Sequence, residues 1–591
     1  MHKFKIWAPL AEDMAIQAGH QKQPMQPSEA GWWTADVKEA DADTDYGFFV
    51  NGEGPFPDPR SCWQPGGING LSRIVDHSAF GWTDQNWQPK PLSSAVIYEL
   101  HVGTFTPQGT FRSVVERLDY LLDLGITHIE LMPVAEFSGP WGWGYDGVDL
   151  FAPHHRYGTP DDLKFLIDTC HQRGLAVLLD VVYNHFGPAG NYLSKFGPYL
   201  TDAYKTPWGQ AVNLDHSGSN HVRRFLADNA LMWLRDYHFD GLRLDAVHAF
   251  VDNSAIHFLE FLASEVEALS ARLGKHLVLI AESDLNAPCI VRSREANGYG
   301  IDAQWNDDFH HALHTVITGE RKGYYEDFGS LAQLAKVFQD VFVYDGIYSP
   351  HRKSIHGRPA TGLSARHFLA YSQNHDQVGN RAQGERLCHL TNLGRAKIAA
   401  ALVLTSPFVP MLFQGEEFAA SSPFQYFSQH EDPDLGQKVS EGRKNEFKAF
   451  GWDPDEVPDP QERETFERSK LRWDEVHQGE HEEMLEWYKR LIALRRSSPE
   501  LTGGRLTEVS VNFDERAQWF VLTRGDIEIV CNLSADRQAI PITRMPRGVL
   551  ASNERWDLRP GLIEIESDSV ALLSPHAFAS MQEHLRQYAT V

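Results

Sequence analysis

The sequence predicts an α/β protein in which a (β/α)8 TIM barrel lies between an N-terminal β-sandwich and a C-terminal β-domain. Eight short apolar segments of strand type alternate with helical segments between residues 93 and 498. The regions before and after them show strand patterning without a sustained helical period. Eight strand–helix units favour a closed parallel barrel, and an open doubly wound sheet is the alternative.

The length and charge of the chain limit its organisation and its partners. With 591 residues it exceeds what one hydrophobic core supports, so we expect separate domains at 1–92, 93–498 and 499–591. The formal net charge is −26. A chain this acidic repels phosphate backbones, so we expect no nucleic acid partner.

Cysteine usage and apolar runs add further expectations. The five cysteines are scattered, and none lies in a CxxC or Cys/His cluster, so the sequence predicts no metal and no cofactor. The N-terminus has no apolar run of signal-peptide length, and no segment reaches the length of a membrane span. We therefore expect a cytoplasmic protein with no membrane partner.

The N-terminal region, 1–92, has the pattern of a small β-sandwich. Strand-like runs at 4–7 and 46–50 are separated by segments rich in glycine, proline, asparagine and aspartate, which favour turns. The C-terminal region, 499–591, returns to this pattern. Its strand-like runs are 509–513, 519–522 and 527–531.

The central region carries the predicted barrel strands. Most are short apolar runs, as expected for parallel strands that are buried on both faces. Their predicted bounds are 96–100, 128–132, 176–182, 241–245, 277–282, 302–305, 368–374 and 409–413. Apolar residues at helical spacing predict helices at 222–237 and 481–496.

Two connections in this region are longer than a compact domain needs. Residues 186–220 follow the third predicted strand, and we interpret them as a substrate-binding excursion because that connection leaves the C-terminal end of the barrel. Residues 421–473 form an insertion rich in charge and proline, whose role the sequence leaves open.

Three carboxylates stand at or just beyond the ends of predicted strands: Asp245, Glu282 and Asp376. In a barrel of this type, catalytic groups lie at the C-terminal ends of the strands. Cleavage of a glycosidic bond with retention needs a carboxylate nucleophile and a carboxylic acid about 5 Å apart. We assign Asp245 as the nucleophile, Glu282 as the acid and Asp376 as a ligand of sugar hydroxyls.

Neighbouring residues support this interpretation. Arg243 precedes Asp245 by two positions, so both side chains point to the same side of the strand, where the guanidinium keeps the carboxylate ionised. One such carboxylate alone would equally suit a structural ion pair. His185 and His375 are predicted to donate to the sugar at the cleavage point, and Tyr145 to stack beneath it.

Four short motifs resemble the characteristic sequence regions of the α-amylase superfamily of glycoside hydrolases. They are Asp180-Val-Val-Tyr-Asn-His185, Gly241-Leu-Arg-Leu-Asp245, Ala281-Glu-Ser283 and Asn374-His-Asp376. The resemblance implies retaining cleavage or transfer of α-glucosidic bonds, with the three carboxylates in the roles given above. Many members bind calcium through the asparagine that corresponds to Asn184, but we expect no metal here.

Further segments resemble one family within that superfamily, the malto-oligosyltrehalose trehalohydrolases. They lie at 57–61, 98–106, 303–312, 373–381, 415–418, 423–427 and 441–447. This resemblance implies hydrolysis that releases trehalose from a maltooligosyltrehalose, or action on another α-glucan oligosaccharide. The chain departs from the family pattern at Cys289, Asn306 and Gln414.

The same resemblance implies a larger set of substrate-binding residues. Arg352 is our choice for a contact with the departing trehalose. The remaining implied residues are Arg243, Leu244, Ala246, Val247, His248, Asp307, Asp308, Phe309, His310, His311, Gln373, Asn374, His375, Gln377 and Val378.

The sequence leaves three alternative functions open. An α-glucan branching enzyme would share the barrel and the three carboxylates, which do not reveal whether water or a sugar hydroxyl resolves the intermediate. A general α-amylase-type hydrolase would also share them. A binding protein that has lost catalysis would be expected to lack the triad, which this chain retains.

Overall fold

The computed structural model describes residues 1–449, 453, 456–576 and 578. Its centre is a closed barrel of eight parallel strands, which confirms the predicted fold class. The strands are, in order, Ile97–Leu100, His128–Leu131, Ala176–Val181, Gly241–Leu244, Val278–Ala281, Ala303–Trp305, Phe368–Ala370 and Val409–Phe413. The eighth strand pairs with the first, with Met411 opposite Ile97, and this pairing closes the barrel.

All eight predicted strands are present, and most are shorter than predicted. The largest difference is in the seventh, which was predicted to reach Asn374 but ends at Ala370. Asn374 instead caps the short helix His375–Gly379, because its side chain accepts a hydrogen bond from the Gln377 N–H at 2.8 Å.

Helices surround the barrel. The predicted helices at 222–237 and 481–496 are confirmed as Ser219–Asp236 and Gly479–Ser497. The other longer barrel helices are Leu118–Leu124, Pro160–Gln172, Phe258–Leu273, Asp307–Thr318, Leu331–Asp340 and Leu393–Thr405. Short helices lie at Val102–Phe105, Phe111–Val115, Leu193–Phe196, Leu387–Leu390 and Pro499–Thr502.

Three hairpins extend the loops that follow or precede barrel strands. Ala135–Phe137 pairs with Gly147–Pro153 after the second strand, and Leu200–Thr206 pairs with Gly209–Val212 after the third. Asp345–Ser349 pairs with Ser354–Gly357 before the seventh strand. The predicted insertion at 421–473 contains the helices Pro433–Ala449 and Arg463–Arg468, while 450–452, 454 and 455 lie outside the described residues.

β-Domains flank the barrel on both sides in sequence. The first has one sheet of His2–Trp7, Trp32–Val37 and Gln26–Pro27, and a second of Gln21–Pro24, Met14–Ala18, Asp45–Val50, Glu53–Phe56 and Ser72–Arg73. The last has one sheet of Val509–Asp514, Trp519–Arg524, Ile527–Asn532, Ser569–Ser574 and Gly548–Ala551, and a second of Gln538–Pro541, Leu562–Ile565 and Trp556–Arg559. Among the described residues, no helix is long and apolar enough to cross a bilayer.

Candidate active site

The barrel places two of the predicted catalytic carboxylates on adjacent strands. Asp245 follows the fourth strand directly, and its N–H donates to the Val181 carbonyl at 3.0 Å. Glu282 follows the fifth, and its N–H donates to the Leu244 carbonyl at 3.0 Å. Both backbones therefore remain attached to the barrel, so both carboxylates project from a rigid edge.

Arg243 connects these carboxylates. Its Nη1 donates to Asp245 Oδ1 and to Asp180 Oδ2, each at 2.7 Å, and its Nη2 lies 3.6 Å from Glu282 Oε2. The guanidinium packs over the Trp305 ring at 4.1 Å. Arg243 is 0% exposed, and its contacts are to the carboxylates and Trp305; its contact with substrate stays a prediction.

Asp245 is held at both oxygens. Besides Arg243 at Oδ1, the Asn184 side-chain N–H donates to Oδ2 at 3.0 Å. Positive charge and donated hydrogen bonds favour the ionised form of a carboxylate and fix its rotamer. The Asp245 side chain keeps 12% of its surface open, which leaves it accessible to an anomeric carbon.

Glu282 has the surroundings of a proton donor. Burial raises its pKa well above the usual range; Arg243 opposes this shift, and the negative charges of Asp245 and Asp376 add to it. Its Oε2 accepts the N–H of Ala246 at 2.5 Å. Ala246 has φ of 39°, a left-handed conformation that is strained for a residue with a side chain.

Tyr145 and His375 are hydrogen-bonded to each other at the base of the candidate site. The Tyr145 hydroxyl donates to Asp180 Oδ2 at 2.6 Å and lies 2.7 Å from His375 Nε2, and the two rings stack at 5.1 Å. The other ring nitrogen of His375 bonds to Glu99 Oε1. Burial lowers the pKa of His375, but the charges of Asp376 and Glu99 outweigh it and raise the pKa to about 9. His375 is therefore a cation at neutral pH.

Asp376 and His185 face the open side of the site. The Asp376 side chain is 38% exposed, with Oδ1 3.5 Å from His375 Nε2 and 3.2 Å from the Asn380 amide. His185 Nδ1 bonds to Asn184 Oδ1 at 2.7 Å. Its ring stacks on Trp208 at 4.7 Å, and Trp208 is 47% exposed on the hairpin of the 186–220 excursion.

The 307–311 stretch contributes only part of what the resemblance implied. Asp307 accepts the Tyr371 hydroxyl at 2.5 Å, and burial raises its pKa to about 6. Asp308 is buried, and its Oδ2 accepts the Asn286 amide and the N–H groups of Val343 and Tyr344. These contacts hold the loop at 343–344, and the predicted contact of Asp308 with substrate stays a prediction.

The other side chains of this stretch pack inward. Phe309 is 0% exposed and packs against Phe338 and Phe408. His310 is 1% exposed and bonds to the Tyr325 hydroxyl at 3.0 Å, and His311 is 8% exposed and packs against the same tyrosine.

In the segments around Asp245 and Asp376, some of the predicted substrate-binding side chains are buried and others are partly exposed. Leu244, Ala246, Val247 and Val378 are buried, and Leu244 has 0% exposure. Gln373 and Asn374 accept backbone N–H groups and so shape the turn. His248 and Gln377 remain partly exposed.

Arg352 lies on the Glu282 side of the mouth. It occupies the turn between Asp345–Ser349 and Ser354–Gly357, and both of its terminal nitrogens donate to Asp284 Oδ2 at 3.1 Å. The other oxygen of Asp284 is 3.9 Å from His248 Nδ1. Asp284 comes two residues after Glu282, so these three side chains form a polar rim beside the candidate acid.

Sequence reasoning missed three residues of this site: Glu99, Asp284 and Trp208. Glu99 was detectable as a single acidic residue within the otherwise uncharged strand Ile97–Leu100. Asp284 was detectable from its spacing to Glu282. Trp208 carried no local signal, because its partner His185 lies 23 positions earlier in the same long connection.

Comparisons with known proteins agree with this geometry. The alpha-amylase catalytic domain family matches residues 72–206. A malto-oligosyltrehalose trehalohydrolase from Rhizobium sp. (strain M-11) is 50% identical and covers 90% of this chain and 91% of its own length. One from Mycobacterium tuberculosis (strain ATCC 25618 / H37Rv) is 47% identical over 92% of this chain and 94% of its own.

A solved structure extends the likeness to the fold. The crystal structure of a candidate alpha amylase from Salmonella typhimurium has a TM-score of 0.89 at 37% identity and covers 97% of both chains. The predicted glycoside hydrolase is thus confirmed by barrel, by domain match and by relatives over nearly the whole length. The chain belongs to the malto-oligosyltrehalose trehalohydrolase family, within the α-amylase superfamily of glycoside hydrolases.

Proposed function

We propose that this enzyme hydrolyses the α-1,4 bond between a maltooligosaccharide and a terminal trehalose, with retention, and so releases trehalose. The observation that carries the proposal is the single buried guanidinium of Arg243 that contacts both Asp245 and Glu282. The names of the relatives support the trehalose-capped substrate, and membership in the superfamily supports an α-glucan oligosaccharide more broadly.

In the first step, Glu282 gives its proton to the glycosidic oxygen of the leaving trehalose while Asp245 attacks the anomeric carbon. The bond from carbon to the trehalose oxygen breaks as the ester bond to Asp245 forms. Arg243 and Asn184 each donate a hydrogen bond to one oxygen of Asp245 and so orient it for attack. Burial raises the pKa of Glu282, which favours the protonated form that this step needs.

In the second step, water replaces trehalose. Glu282, now ionised, removes a proton from that water, which attacks the anomeric carbon and returns Asp245 to its carboxylate form. Asp376 accepts hydrogen bonds from hydroxyls of the same sugar, while His375, whose two ring nitrogens bond to Tyr145 and Glu99, orients Tyr145. Tyr145, held by Asp180 and His375, supports that ring from below.

The proposed trehalose-side contacts are His248, Asp284 and Arg352. Their place on the Glu282 side of the mouth supports this, because the group that leaves must lie next to the acid. Trp208 and His185 offer a stacked aromatic pair from the excursion at 186–220. We propose that this excursion binds the substrate. We also propose that the chain divides into three domains, at 1–92, 93–498 and 499–591.

The test is a comparison of two substrates. Purified full-length protein is incubated with maltotriosyl-trehalose and, separately, with maltopentaose, and products are separated by chromatography. We expect rapid release of trehalose and maltotriose, with slow attack on maltopentaose. Equal cleavage of both would contradict the trehalose-side assignment. Absence of cleavage, together with a shift in the iodine absorbance of amylose, would favour a branching enzyme.

A further inference from the structure

A second group of ligand-type side chains lies at the base of the hairpin that follows the second barrel strand. Glu136 is on the first strand of that hairpin, and His154 and His155 come directly after the second, Gly147–Pro153. Among the residues that the structure describes, these form the one group of three whose ligand atoms all lie within 4.8 Å of one another.

The distances within this group suit a coordinated ion. Glu136 Oε1 lies 3.2 Å from His154 Nδ1 and 2.9 Å from His155 Nδ1. Around tetrahedral Zn²⁺ with bonds of about 2.0–2.1 Å, neighbouring ligand atoms are about 3.3 Å apart. The two distances from the carboxylate oxygen to the imidazole nitrogens are thus close to the edges of such a polyhedron, and all three ligand atoms lie within 4.8 Å of one another.

The surroundings hold these side chains in place. Glu136 and His154 have fully buried side chains, and the His154 ring stacks on Phe137 at 3.8 Å. The second oxygen of Glu136 accepts the His155 backbone N–H at 2.8 Å, which orients the carboxylate as outer contacts do in metal sites. The His155 side chain is 24% exposed, so the group is reachable from solvent.

We propose that Glu136, His154 and His155 bind one divalent cation of the Zn²⁺ class, with water at the remaining position. Two imidazoles and a carboxylate are the ligand types that such ions prefer. This departs from the expectation of no metal, which rested on the lack of a Cys/His cluster and on a family resemblance that does not require calcium. The ion would act structurally rather than in the reaction, because none of the three residues contacts the catalytic carboxylates by any hydrogen bond.

An ion at this site would stabilise the hairpin formed by Ala135–Phe137 and Gly147–Pro153. Residues 138–146 connect the two strands and carry Tyr145, whose hydroxyl bonds to Asp180 and His375. An ion held by Glu136 before that loop and by His154 and His155 after it would join both ends of the loop. Its removal would loosen the support of Tyr145 while leaving the triad intact.

The same contacts could be two hydrogen bonds from imidazole N–H groups to one carboxylate oxygen, and metal binding distinguishes the two. Untagged full-length protein is stripped with chelator, equilibrated with Zn²⁺, dialysed, and analysed for bound metal; Co²⁺ is added separately and its visible spectrum recorded. We expect about one Zn²⁺ per chain, a rise in Tm of about 1–3 °C, and a Co²⁺ spectrum with nitrogen and oxygen ligation.

Variants assign the ion to this group. His155→Asn and Glu136→Gln should each lower the bound Zn²⁺ at least about tenfold, since each removes a ligand. His20→Asn, at an exposed histidine elsewhere, should retain it. Wild-type protein with no Zn²⁺ above background would overturn the proposal, as would equal binding by His155→Asn. If wild-type protein binds no metal and His155→Asn or Glu136→Gln is nevertheless destabilised, the three side chains form a cluster held by hydrogen bonds alone, and the proposal is overturned.

Discussion

The fourth barrel strand, Gly241–Leu244, has an aspartate at each end, and the two carboxylates lie in different surroundings. Asp240, at the N-terminal end, is 2% exposed. Its Oδ1 accepts the Trp87 indole N–H at 2.8 Å, and its Oδ2 accepts the Val177 N–H at 2.8 Å and pairs with His171 at 3.0 Å. His171 in turn bonds to Asp84 at 2.8 Å.

Asp245, at the C-terminal end, has one strong partner at each oxygen and an open side towards the cleft. Glu282 and Asp376 beside it are also partly open, with 16% and 38% of their side chains exposed. The same residue type is therefore enclosed by partners at both oxygens at one end of the strand, as a structural carboxylate is, and keeps one face open at the other end, as the proposed nucleophile must.

The largest expected effect is at Asp245. Asp245→Asn removes the nucleophile while keeping its size and the contact with Asn184, so we expect a loss in kcat on the order of 10⁴-fold or more. Trehalose release from maltotriosyl-trehalose measures it, and Asp340→Asn, at an exposed aspartate, is the control. A variant with near wild-type turnover would show that Asp245 is not the nucleophile.

Glu282→Gln should have the next largest effect. We expect a loss in kcat of about 10²–10⁴-fold, because general acid–base catalysis is removed. In the wild type, kcat/KM should fall as pH rises through the raised pKa of Glu282, since the acid must be protonated. The residual activity of the variant should lack this basic limb. An α-maltotriosyl fluoride, whose leaving group needs no proton, should rescue the first step; equal losses on both substrates would contradict the assignment.

At the other end of the strand, Asp240→Asn should affect stability and leave chemistry unchanged. The variant breaks a buried contact with His171, so we expect a loss of about 2–4 kcal/mol in the free energy of unfolding. Urea unfolding followed by tryptophan fluorescence measures it. The kcat/KM of the folded variant should match that of the wild type. A loss of kcat without a loss of stability would contradict the structural role of Asp240 at the N-terminal end of the strand.

The pH dependence of stability sharpens the same comparison. Burial lowers the pKa of His171, but its bonds to Asp240 and Asp84 outweigh burial and raise the pKa above 6.5. Burial raises the pKa of Asp84, but its bonds to His171 and His238 hold that pKa below 3.8.

The stability from His171 is therefore fully present below about pH 6.5 and lost as pH rises through its native pKa, whereas that from Asp84 is present above about pH 3.8 and lost as pH falls. Both contributions overlap between about pH 4 and 6.5. Unfolding free energies measured from pH 4 to 9 should decline above this window in wild-type protein and decline less in His171→Asn. Parallel profiles would show that this cluster does not set the dependence.

The smallest expected effect is at the rim. Arg352→Gln should raise KM for maltotriosyl-trehalose about 5–10-fold, or about 1–1.4 kcal/mol, with kcat little changed, because a charged contact with the leaving sugar is weakened. KM for maltopentaose should stay the same. Arg463→Gln, an exposed arginine in Arg463–Arg468, is the control. An equal rise in KM for both substrates would mean that Arg352 does not contribute to recognition of the trehalose group.

Much of the fold was predictable because the relevant patterns are local. The eight barrel strands follow from short apolar runs, and the carboxylates follow from their position at strand ends; both depend on periodicity within a few residues. Asp245 and Glu282 share one edge because parallel strands end on the same side of a barrel. For the same reason Arg243 was correctly placed beside Asp245.

Other features depend on which distant segments meet. Glu99 and His375 are 276 positions apart, and their contact exists because the barrel brings the first strand beside the residue that follows the seventh. Leu244, Asp308 and Phe309 belong to motifs that the resemblance associates with substrate, yet the fold buries their side chains.

The sequence by itself predicted the barrel and its flanking β-domains, because short apolar runs and turn residues are local patterns. It predicted the three carboxylates because they stand at or just beyond the ends of predicted strands. Only the tertiary structure decided which charges are paired and which remain open, since pairing depends on packing between segments far apart in the chain. That difference gives Asp240 a structural role and leaves Asp245 free to react.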